Sequence, residues 1–243
     1  MLYVVATPIG NLGDFSPRGI EALKAANIIA CEDTRRTRAL LTHFGIPCPR
    51  LLSYREQTEQ SGAEGLIPLL KQGLTVSLCS NAGYPGISDP GYRLISGAVD
   101  NGIDVQVIPG AGAVSTALLL SGLPTSSYTF KGFPPRRGGP LRSFFAQEKD
   151  LPHTLVIFES PMRIGHTLAA AREVLGDRRA AVCTELTKKF ERVDRGFLSE
   201  LAPKYENASV KGEVTIVIAG NNPKFARNEE CGTTSETSKV AEG

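Results

Sequence analysis

Short apolar runs recur along the whole chain, and a turn-forming or polar residue follows most of them. Runs of this length predict β-strands buried on both faces, because a strand with one solvated face would alternate apolar and polar residues. The runs are Leu2–Ala6, Ile28–Cys31, Leu74–Cys79, Val105–Ile108, Thr154–Phe158, Ala180–Cys183 and Val214–Ala219.

Segments with helical spacing lie between these runs. Behind a Ser16-Pro17 start, apolar residues recur from Ile20 to Ala26, and Ser is a favoured N-cap while Pro is tolerated in the first turn. Two Leu-rich stretches, Leu66–Leu70 and Ala117–Leu120, are typical of a buried helix face. The alternation of strands and helices predicts an α/β fold with mostly parallel sheets.

A run of small, turn-forming residues, Ser121–Ser127, marks the candidate domain boundary. We therefore expect an N-terminal α/β domain at residues 1–121 and a C-terminal α/β domain at residues 122–220, both of ordinary domain size. From Asn221 to Gly243 the chain has no apolar period and mixes charges with Ser, Thr and Gly, which predicts a disordered tail.

Composition indicates a packed protein and limits its partners. The 243 residues are 41% hydrophobic and 21% charged, too apolar for a disordered chain. Lys and Arg number 27 against 25 Asp and Glu, a net charge of +2, so any nucleic-acid surface must be local. No apolar stretch approaches the roughly 20 residues of a membrane span, and the start lacks a signal-peptide pattern. We expect a cytoplasmic protein.

The cysteines and histidines do not form a metal or disulfide pattern. The five cysteines are an odd number without a C-x-x-C pair, and the three histidines have no acidic cluster around them. We therefore expect no metal, a reducing compartment, and small buried roles for the three cysteines that lie in apolar runs. Those three are Cys31, Cys79 and Cys183, and the others are Cys48 and Cys231.

Three glycine-rich turns follow apolar runs in the first half: Thr7–Gly13, Ser80–Gly86 and Pro109–Gly112. Loops that leave the carboxyl ends of parallel strands line the ligand crevice of an open sheet, and glycine there lets the backbone approach a ligand closely. The three turns together predict one shared ligand site.

The motifs disfavour two common ligands. The third turn continues as Gly110–Ser115, which approaches the dinucleotide pattern G-x-G-x-x-G but ends in Ser, and no acidic residue follows at the spacing that holds a ribose. No Walker A pattern occurs in the sequence. A crevice lined by Gly and Ala suits a ligand with an adenosine and a cationic or neutral tail better than a pyrophosphate.

Basic residues gather in two places. Arg35, Arg36 and Arg38 follow the second apolar run. The second group lies in a Gly/Pro-rich stretch with Phe130, Phe133 and Phe144 interleaved, and it comprises Lys131, Arg136, Arg137 and Arg142. Cations on loops suit phosphates and neighbouring rings suit unpaired bases, so both groups are candidate RNA contacts.

Several motifs together resemble the 16S rRNA 2′-O-ribose cytidine methyltransferases of the tetrapyrrole methylase superfamily, over about Leu2 to Gly220. They are Thr7-Pro8-Ile9-Gly10-Asn11-Leu12 with Asp14, Cys31-Glu32-Asp33-Thr34-Arg35, Phe44-Gly45-Ile46, Asn81 to Gly91 with its Ile87-Ser88-Asp89-Pro90-Gly91 string, Glu159-Ser160-Pro161, Glu185-Leu186-Thr187-Lys188 and Lys211-Gly212-Glu213.

The resemblance implies two α/β domains, a mostly parallel N-terminal sheet and a mixed C-terminal sheet, and S-adenosyl-L-methionine bound between them. It also implies a homodimer whose substrate is a cytidine ribose in the decoding region of 16S rRNA within the small ribosomal subunit. The implied cofactor-binding residues are Pro8, Asn81, Gly83, Tyr84, Ile87, Gly112, Ala113 and Leu186. Asn81, Tyr84, Arg55 and Met162 depart from the usual family pattern, in which Asp, Thr, His and His are common at those positions.

Methylation of a ribose hydroxyl needs an aligned methyl donor and a group that takes the proton. We hypothesise that Glu185 and Lys188 lie near that hydroxyl and that Arg35 holds a neighbouring phosphate. The alternatives are a methylase of a tetrapyrrole precursor, which needs a pocket for a macrocycle, and a catalytically weak RNA-binding relative. A nicotinamide dehydrogenase is disfavoured by the missing acidic residue.

Overall fold

A computed structural model describes residues 1–227 and builds them around two five-stranded sheets. The strands are β1 Leu2–Val5, β2 Ile28–Cys31, β3 Arg50–Ser53, β4 Val76–Cys79, β5 Val105–Ile108, β6 Tyr128–Phe130, β7 Thr154–Glu159, β8 Arg179–Thr184, β9 Arg192–Phe197 and β10 Val214–Ile218. The helices are α1 Pro17–Lys24, α2 Thr34–His43, α3 Glu59–Lys71, α4 Tyr92–Asp100, α5 Ala113–Ser121, α6 Gly138–Ala146, α7 Ile164–Leu175 and α8 Leu198–Glu206.

The first sheet has the order β3-β2-β4-β1-β5 and is parallel throughout. The second has the order β6-β7-β10-β8-β9, in which only β6 and β7 are parallel. The predicted fold class, with a parallel N-terminal and a mixed C-terminal sheet, is confirmed.

All seven predicted strands are present, and the three strands that the apolar pattern missed lie at sheet edges. They are β3, β6 and β9. An edge strand is partly exposed, so its sequence mixes polar with apolar residues. Strand β9, for example, contains Arg192, Asp194 and Arg195. The fourth edge strand, β5, was among the predicted runs, but only its Ile108 is buried, so the expectation that it is buried on both faces was wrong.

The predicted start of α1 is confirmed by its cap. The Ser16 hydroxyl accepts a hydrogen bond from the backbone N–H of Gly19 at 3.0 Å, and Pro17 is the first helical residue. Helix α2 begins in the same way, because the Asp33 carboxylate accepts the N–H of Arg35 at 2.8 Å.

Helix α5 packs on the second sheet, although the predicted boundary assigned it to the first domain. Ala117 and Leu118 share a buried cluster with Val156, Ala181 and Val217 of the second sheet. Helix α5 is apolar nearly all round, so it can cover the face of β8 and β10 while its N-terminus follows a turn of the first sheet. The domain boundary at residue 121 stays a prediction, and the packing of α5 associates that helix with the second sheet.

Residues 221–227 also differ from the expected tail. Residues 223–225 form a short 3-10 helix, and the Arg227 guanidinium contacts the carboxylates of Glu200 and Asp177 and lies 4.2 Å from the Phe197 ring centroid. These contacts hold the chain against α8, so the expected tail cannot start at Asn221. The rest of the predicted tail lies outside the described residues.

Cys31, Cys79 and Cys183 are buried free thiols, as predicted, and Cys48 is an exposed one. Cys231 lies outside the described residues. Within residues 1–227, no helix combines the length and the apolar character needed to cross a bilayer.

The packing of α7 on α8 can be tested with Gly165→Ala. A Cβ at Gly165 would lie 2.7 Å from the Glu206 backbone, so one helix must move. We expect a loss of about 1–3 kcal/mol in the free energy of unfolding, measured by urea denaturation. Gly65→Ala in α3 is the control: a Cβ there meets nothing within 4 Å, and its better helix propensity should stabilise by up to about 1 kcal/mol. Equal effects of the two substitutions would contradict this account.

Candidate active-site cleft between the two sheets

The three glycine-rich turns meet at one edge of the first sheet, as the sequence predicts. Thr7 and Gly83 exchange backbone hydrogen bonds at 2.9 and 3.0 Å, which joins the turns after β1 and β4. The Tyr84 hydroxyl accepts the N–H of Gly110 at 3.1 Å and so joins the turn after β5. Tyr84 therefore connects two turns.

A cleft of about 750 Å³ lies between these turns and the second sheet. The first half contributes Ile9, Glu32, Asn81, Ala82, Gly83, Tyr84, Ile87, Ser88 and Asp89, and the stretch at the start of α5 contributes Gly112, Ala113, Val114 and Ser115. The second half contributes Tyr128, Phe130, Phe133, Phe158, Glu159, Ser160, Pro161, Gly212, Glu213, Val214 and Thr215.

Six of the eight predicted cofactor-binding residues line this cleft, namely Asn81, Gly83, Tyr84, Ile87, Gly112 and Ala113. The other two do not. Pro8 lines a neighbouring cavity of about 390 Å³, which shares Asn81 with the cleft. Leu186 is only 7% exposed and packs in the buried cluster between the two sheets, so it supports the cleft from behind.

The Asn81 side chain, which lines the cleft, has a hydrogen-bond acceptor without a partner in the described part of the chain. Its side-chain carbonyl oxygen is buried and has no partner within the described part of the chain. Buried polar atoms are nearly always hydrogen-bonded, so this acceptor is available to a ligand. Gly83 beside it has φ +76°, a conformation that side chains disfavour, which keeps the backbone bare at the cleft surface.

One wall of the cleft is aromatic. The rings of Phe130 and Phe133 flank that of Phe158, with centroids 4.9 and 5.6 Å from it, and Tyr128 lies on the same wall. Sequence reasoning singled out Phe130 and Phe133 but not Phe158, which was assigned only to a strand. The wall offers flat, apolar contact area of the kind that nucleobases stack on.

A loop after β8 contacts both halves of the molecule and holds the predicted catalytic pair. The Lys188 ammonium lies 2.7 Å from the Glu185 carboxylate and 3.0 Å from that of Glu213, and the Glu213 N–H donates to Glu185 at 3.0 Å. Neither Glu185 nor Lys188 lines the cleft, but Glu213 does. The ammonium therefore fixes a residue of the cleft wall.

The charges of this pair stabilise each other. The hydrogen bond from Lys188 lowers the pKa of Glu185. Partial burial acts to lower the pKa of Lys188, but the hydrogen bonds to Glu185 and Glu213 outweigh it and leave that pKa raised. Glu185 and Lys188 thus stay ionised around neutral pH and are poor proton acceptors.

Two glycines permit this loop to sit where it does. A Cβ at Gly10 would lie 2.3 Å from the Lys188 Cγ and 2.9 Å from the Leu186 carbonyl oxygen. A Cβ at Gly212 would lie 1.9 Å from Glu185 Oε1. Glu185 and Thr187 have φ +51° and +63°, so the loop also holds backbone strain, which is a common property of functional sites.

The predicted RNA contacts divide into free and engaged side chains. Arg35, Arg36 and Arg38 on α2 and Arg136 and Arg137 before α6 are exposed and form no ion pair within the described residues. Arg36 lines the smaller cavity beside Pro8. Arg142 is exposed but pairs with Glu173 at 2.8 Å.

Lys131 is engaged within the protein. Its ammonium lies 3.0 Å from the buried Glu148 carboxylate, donates a hydrogen bond to Gln147 Oε1 at 2.8 Å, and lies 4.4 Å from the Phe144 ring centroid. Burying Glu148 without a cation would be costly, so Lys131 serves the fold rather than an RNA surface. The same contact occupies the Phe144 ring.

Glu159 also lines the cleft, and its carboxylate is occupied by hydrogen bonds from within the protein. Its buried carboxylate accepts hydrogen bonds from the Arg163 guanidinium at 2.7 Å, the Ser160 N–H at 2.6 Å and the Thr167 hydroxyl. Arg163 also donates to the Pro134 carbonyl at 3.1 Å, which ties the Phe133 segment to the start of α7. Met162 next to it is 94% exposed.

The fold, two α/β halves with a parallel and a mixed sheet, is that of a methylase family. The chain belongs to the tetrapyrrole (corrin/porphyrin) methylase family, whose model matches residues 1–202.

Similar curated proteins carry a more specific name. The "ribosomal RNA small subunit methyltransferase I" of Halalkalibacterium halodurans is 45% identical over 228 residues, which cover 94% of this chain and 78% of that protein. The protein of the same name from Mesorhizobium japonicum is 46% identical over 231 residues, which cover 94% and 77%. The resemblance to small-subunit rRNA methyltransferases of the tetrapyrrole methylase family is thereby confirmed, and the ribose and cytidine specificity stays a prediction.

Solved structures agree on the fold. The methyltransferase CobJ has a TM-score of 0.65 at 14% identity, covering 90% of this chain and 94% of that one. Diphthine synthase has a TM-score of 0.65 at 18% identity, covering 90% and 89%. At such identities the likeness concerns the fold alone.

Lys188→Met tests the ion pairs behind the cleft, because methionine keeps an unbranched apolar stem and removes the charge. We expect the variant to lose about 1–2 kcal/mol of unfolding free energy at pH 7. The pKa of Glu185 is lowered in the fold, so its contribution exists above its unfolded pKa and disappears as pH falls through the folded value. In urea denaturation, the free energies of unfolding of the wild type and of Lys188→Met should therefore become more similar as the pH is lowered.

Lys24→Met is the matched control for this measurement. Lys24 also pairs with a Glu three residues away, Glu21 at 2.9 Å, but both side chains are exposed. We expect less than about 0.5 kcal/mol from its loss. A Lys188→Met effect as small as the Lys24→Met effect would contradict the role given to Lys188.

Proposed function

We propose that this protein transfers a methyl group from S-adenosyl-L-methionine to the ribose 2′-oxygen of a cytidine in the decoding region of 16S rRNA, within the small ribosomal subunit. The observation that carries the proposal is the cleft itself, in which backbone turns face an aromatic wall and exposed arginines lie on both halves of the chain. The similarity to proteins named ribosomal RNA small subunit methyltransferase I supports the same substrate class.

The cleft fits the methyl donor in size and chemistry. A volume of about 750 Å³ is in the range of cofactor sites, and the open Asn81 oxygen offers an acceptor to a donor group of the ligand. Glu32, Asp89 and Glu213 line it and favour a cationic ligand such as a sulfonium. The residues that would hold the donor are Asn81, Gly83, Tyr84, Ile87, Gly112 and Ala113, with Pro8 and Leu186 supporting the turns.

Bound S-adenosyl-L-methionine supplies an electrophilic methyl group, and the chain's own task is to orient the ribose and to remove its proton. Lys188 holds Glu213 on the cleft wall, and Glu185 holds Lys188. These two residues therefore act through position, close to the hydroxyl but not in the proton transfer. Arg35 is proposed to hold a neighbouring phosphate.

The RNA is proposed to contact the two groups of free arginines. Arg35 and Arg36 occupy the first turn of α2, where the helix dipole adds to their positive potential and where a phosphate is favoured. Arg136 and Arg137 follow Phe133 on the other half, and Arg142 joins them if it exchanges Glu173 for a phosphate. A base next to the target can stack on the exposed Phe133 ring.

The protein is also proposed to act as a cytoplasmic homodimer. Helix α5 is apolar on most of its surface, and its Leu119 is 72% exposed. Val107 on the edge strand β5 is 51% exposed. Exposed apolar residues on such elements are typical of a surface that a second copy covers.

The function can be tested by mass spectrometry of 16S rRNA from a strain that lacks the gene. We expect one cytidine to lose a ribose methyl group and to regain it when purified protein and S-adenosyl-L-methionine are added to isolated small subunits. Calorimetry should show binding of S-adenosyl-L-methionine and none of NAD. An unchanged ribose methylation pattern would contradict the proposal.

A second candidate, methylation of a tetrapyrrole precursor, is favoured by the aromatic wall, which also suits a macrocycle. Incubation of the protein and labelled donor with uroporphyrinogen and with small subunits separates the two. We expect label only in the RNA. A catalytically weak RNA-binding relative would bind small subunits and leave both unlabelled.

Substitution of free arginines tests the RNA surface. Arg36→Gln and Arg136→Gln should each weaken binding to small subunits several-fold and reduce its dependence on salt, because each removes about one phosphate contact. Donor affinity should not change. Arg172→Gln on α7 is the control, since Arg172 is exposed and does not line either cavity. Equal effects of all three substitutions would contradict the assigned surface.

A further inference from the structure

We propose that Asp89 is the group that accepts the proton of the ribose hydroxyl. The inference rests on the proposed function and adds the catalytic base to it. Asp89 lines the cleft between the turn after β4 and the wall that carries Glu213. No motif analysis gave this residue a role, although it lies within the Ile87–Gly91 string.

The turn that carries Asp89 is fixed at both ends. The Gly86 N–H donates to the Pro90 carbonyl at 3.2 Å, which closes the turn on itself. The Glu59 carboxylate of α3 accepts the N–H groups of Gly91 and Arg93 at 2.9 and 3.0 Å, which anchors its far end. A catalytic base needs such a fixed position, because proton transfer depends on hydrogen-bond distance.

The backbone of Ser88, in the same turn, has a strained conformation. Its φ of +60° is a conformation that residues other than glycine rarely adopt. Strain of this kind persists only where the surrounding structure enforces it, and it clusters at active sites. The strained residue is the one directly before Asp89.

Two of the four carboxylates that line the cleft, Glu159 and Glu213, are engaged with cations. Lys188 binds both Glu185 and Glu213, and three donors occupy Glu159. Among the described residues that line the cleft, Asp89 and Glu32 are the carboxylates that no cation pairs with, and no histidine lines it. A free carboxylate can take a proton without breaking an ion pair.

The surroundings of Asp89 make it a better base than an ordinary carboxylate. Burial raises its pKa most, the Glu32 charge raises it further, the Ser80 hydroxyl lowers it, and Glu213 adds a small rise, to a pKa of about 6. Of these groups, Glu32 and Glu213 also line the cleft. Asp89 is thus ionised at neutral pH and yet holds a proton more strongly than a free aspartate.

The ribose oxygen forms a bond to the methyl carbon as the carbon–sulfur bond breaks, and the electron pair of that bond stays on sulfur, which becomes a neutral thioether. The hydroxyl proton passes to the Asp89 carboxylate, which later releases it to water. Glu32 does not take the proton but keeps the affinity of Asp89 for it high.

The test compares Asp89→Asn, Asp89→Glu and Glu32→Gln with the wild type in single-turnover methylation of isolated small subunits across pH 5 to 9. Asp89→Asn should lower the rate at least about 100-fold. Its affinity for S-adenosylhomocysteine, measured by calorimetry, should stay within about threefold. Asp89→Glu should retain measurable turnover.

The pH profile separates a base from a structural residue. The wild-type rate should fall as pH drops below about 6, as Asp89 becomes protonated. Glu32→Gln removes the charge that raises this pKa, so its falling limb should move to lower pH. Asp89→Asn should lack the limb. A structural role for Asp89 would leave the limb in place.

A measurement on the protein alone gives an independent readout. A raised carboxyl pKa means that the folded state binds the proton more strongly, so this contribution to stability is present in acid and is lost as pH rises through about 6. The melting temperature of Asp89→Asn should therefore rise relative to that of the wild type between about pH 4 and pH 6, and the difference should stay constant at higher pH.

Two results would overturn the inference: Asp89→Asn turnover within about threefold of wild type, or an unchanged acid limb in that variant. Absence of methylation by the wild type would instead overturn the proposed function, and the two failures are distinguishable because the wild type is measured in every series.

Discussion

The close approach of the Gly10 backbone to the loop after β8 sets the distance between the two halves of the molecule. With no side chain at Gly10, the Lys188 stem and the Leu186 carbonyl lie directly against the first turn of the parallel sheet. Leu186 then completes the apolar cluster that includes Ile9, and the Lys188 ammonium reaches Glu213 on the cleft wall. The wall that carries Glu213 is thereby connected to the first turn of the parallel sheet.

The charges of the protein are separated by place, although they nearly cancel over the chain, with a net charge of +2. Carboxylates face the cleft, where they would favour the cationic donor that we propose, and the arginines that form no ion pair within residues 1–227 lie outside it on both halves. The proposed RNA substrate would be attracted by the exterior and repelled by the interior, so only a neutral part of it, such as the proposed ribose hydroxyl, would be favoured inside. The arrangement explains how a nearly neutral chain can suit two partners of opposite charge.

The sequence predicted the interior of the fold and the backbone-built part of the site. Buried strands produce continuous apolar runs and turns produce glycines, so both are visible, whereas the edge strands β3, β6 and β9 mix polar residues with apolar ones. The packing of α5 and the partners of Lys131 depend on contacts between distant segments, which local patterns do not contain. Asp89 was visible as part of a motif, but its isolation from cations was not.

The placement of α5 has a consequence for the order in which the protein folds. The ribosome synthesises the first sheet and α5 before any strand of the second sheet. The apolar surface of α5 therefore stays exposed until the second sheet forms and covers it. The second sheet, in turn, cannot bury the face of β8 and β10 with its own later residues alone. Helix α5 is therefore synthesised with the first half but packs on the second. A chaperone that covers this nine-residue helix during synthesis would keep its apolar surface from aggregating until the second sheet forms.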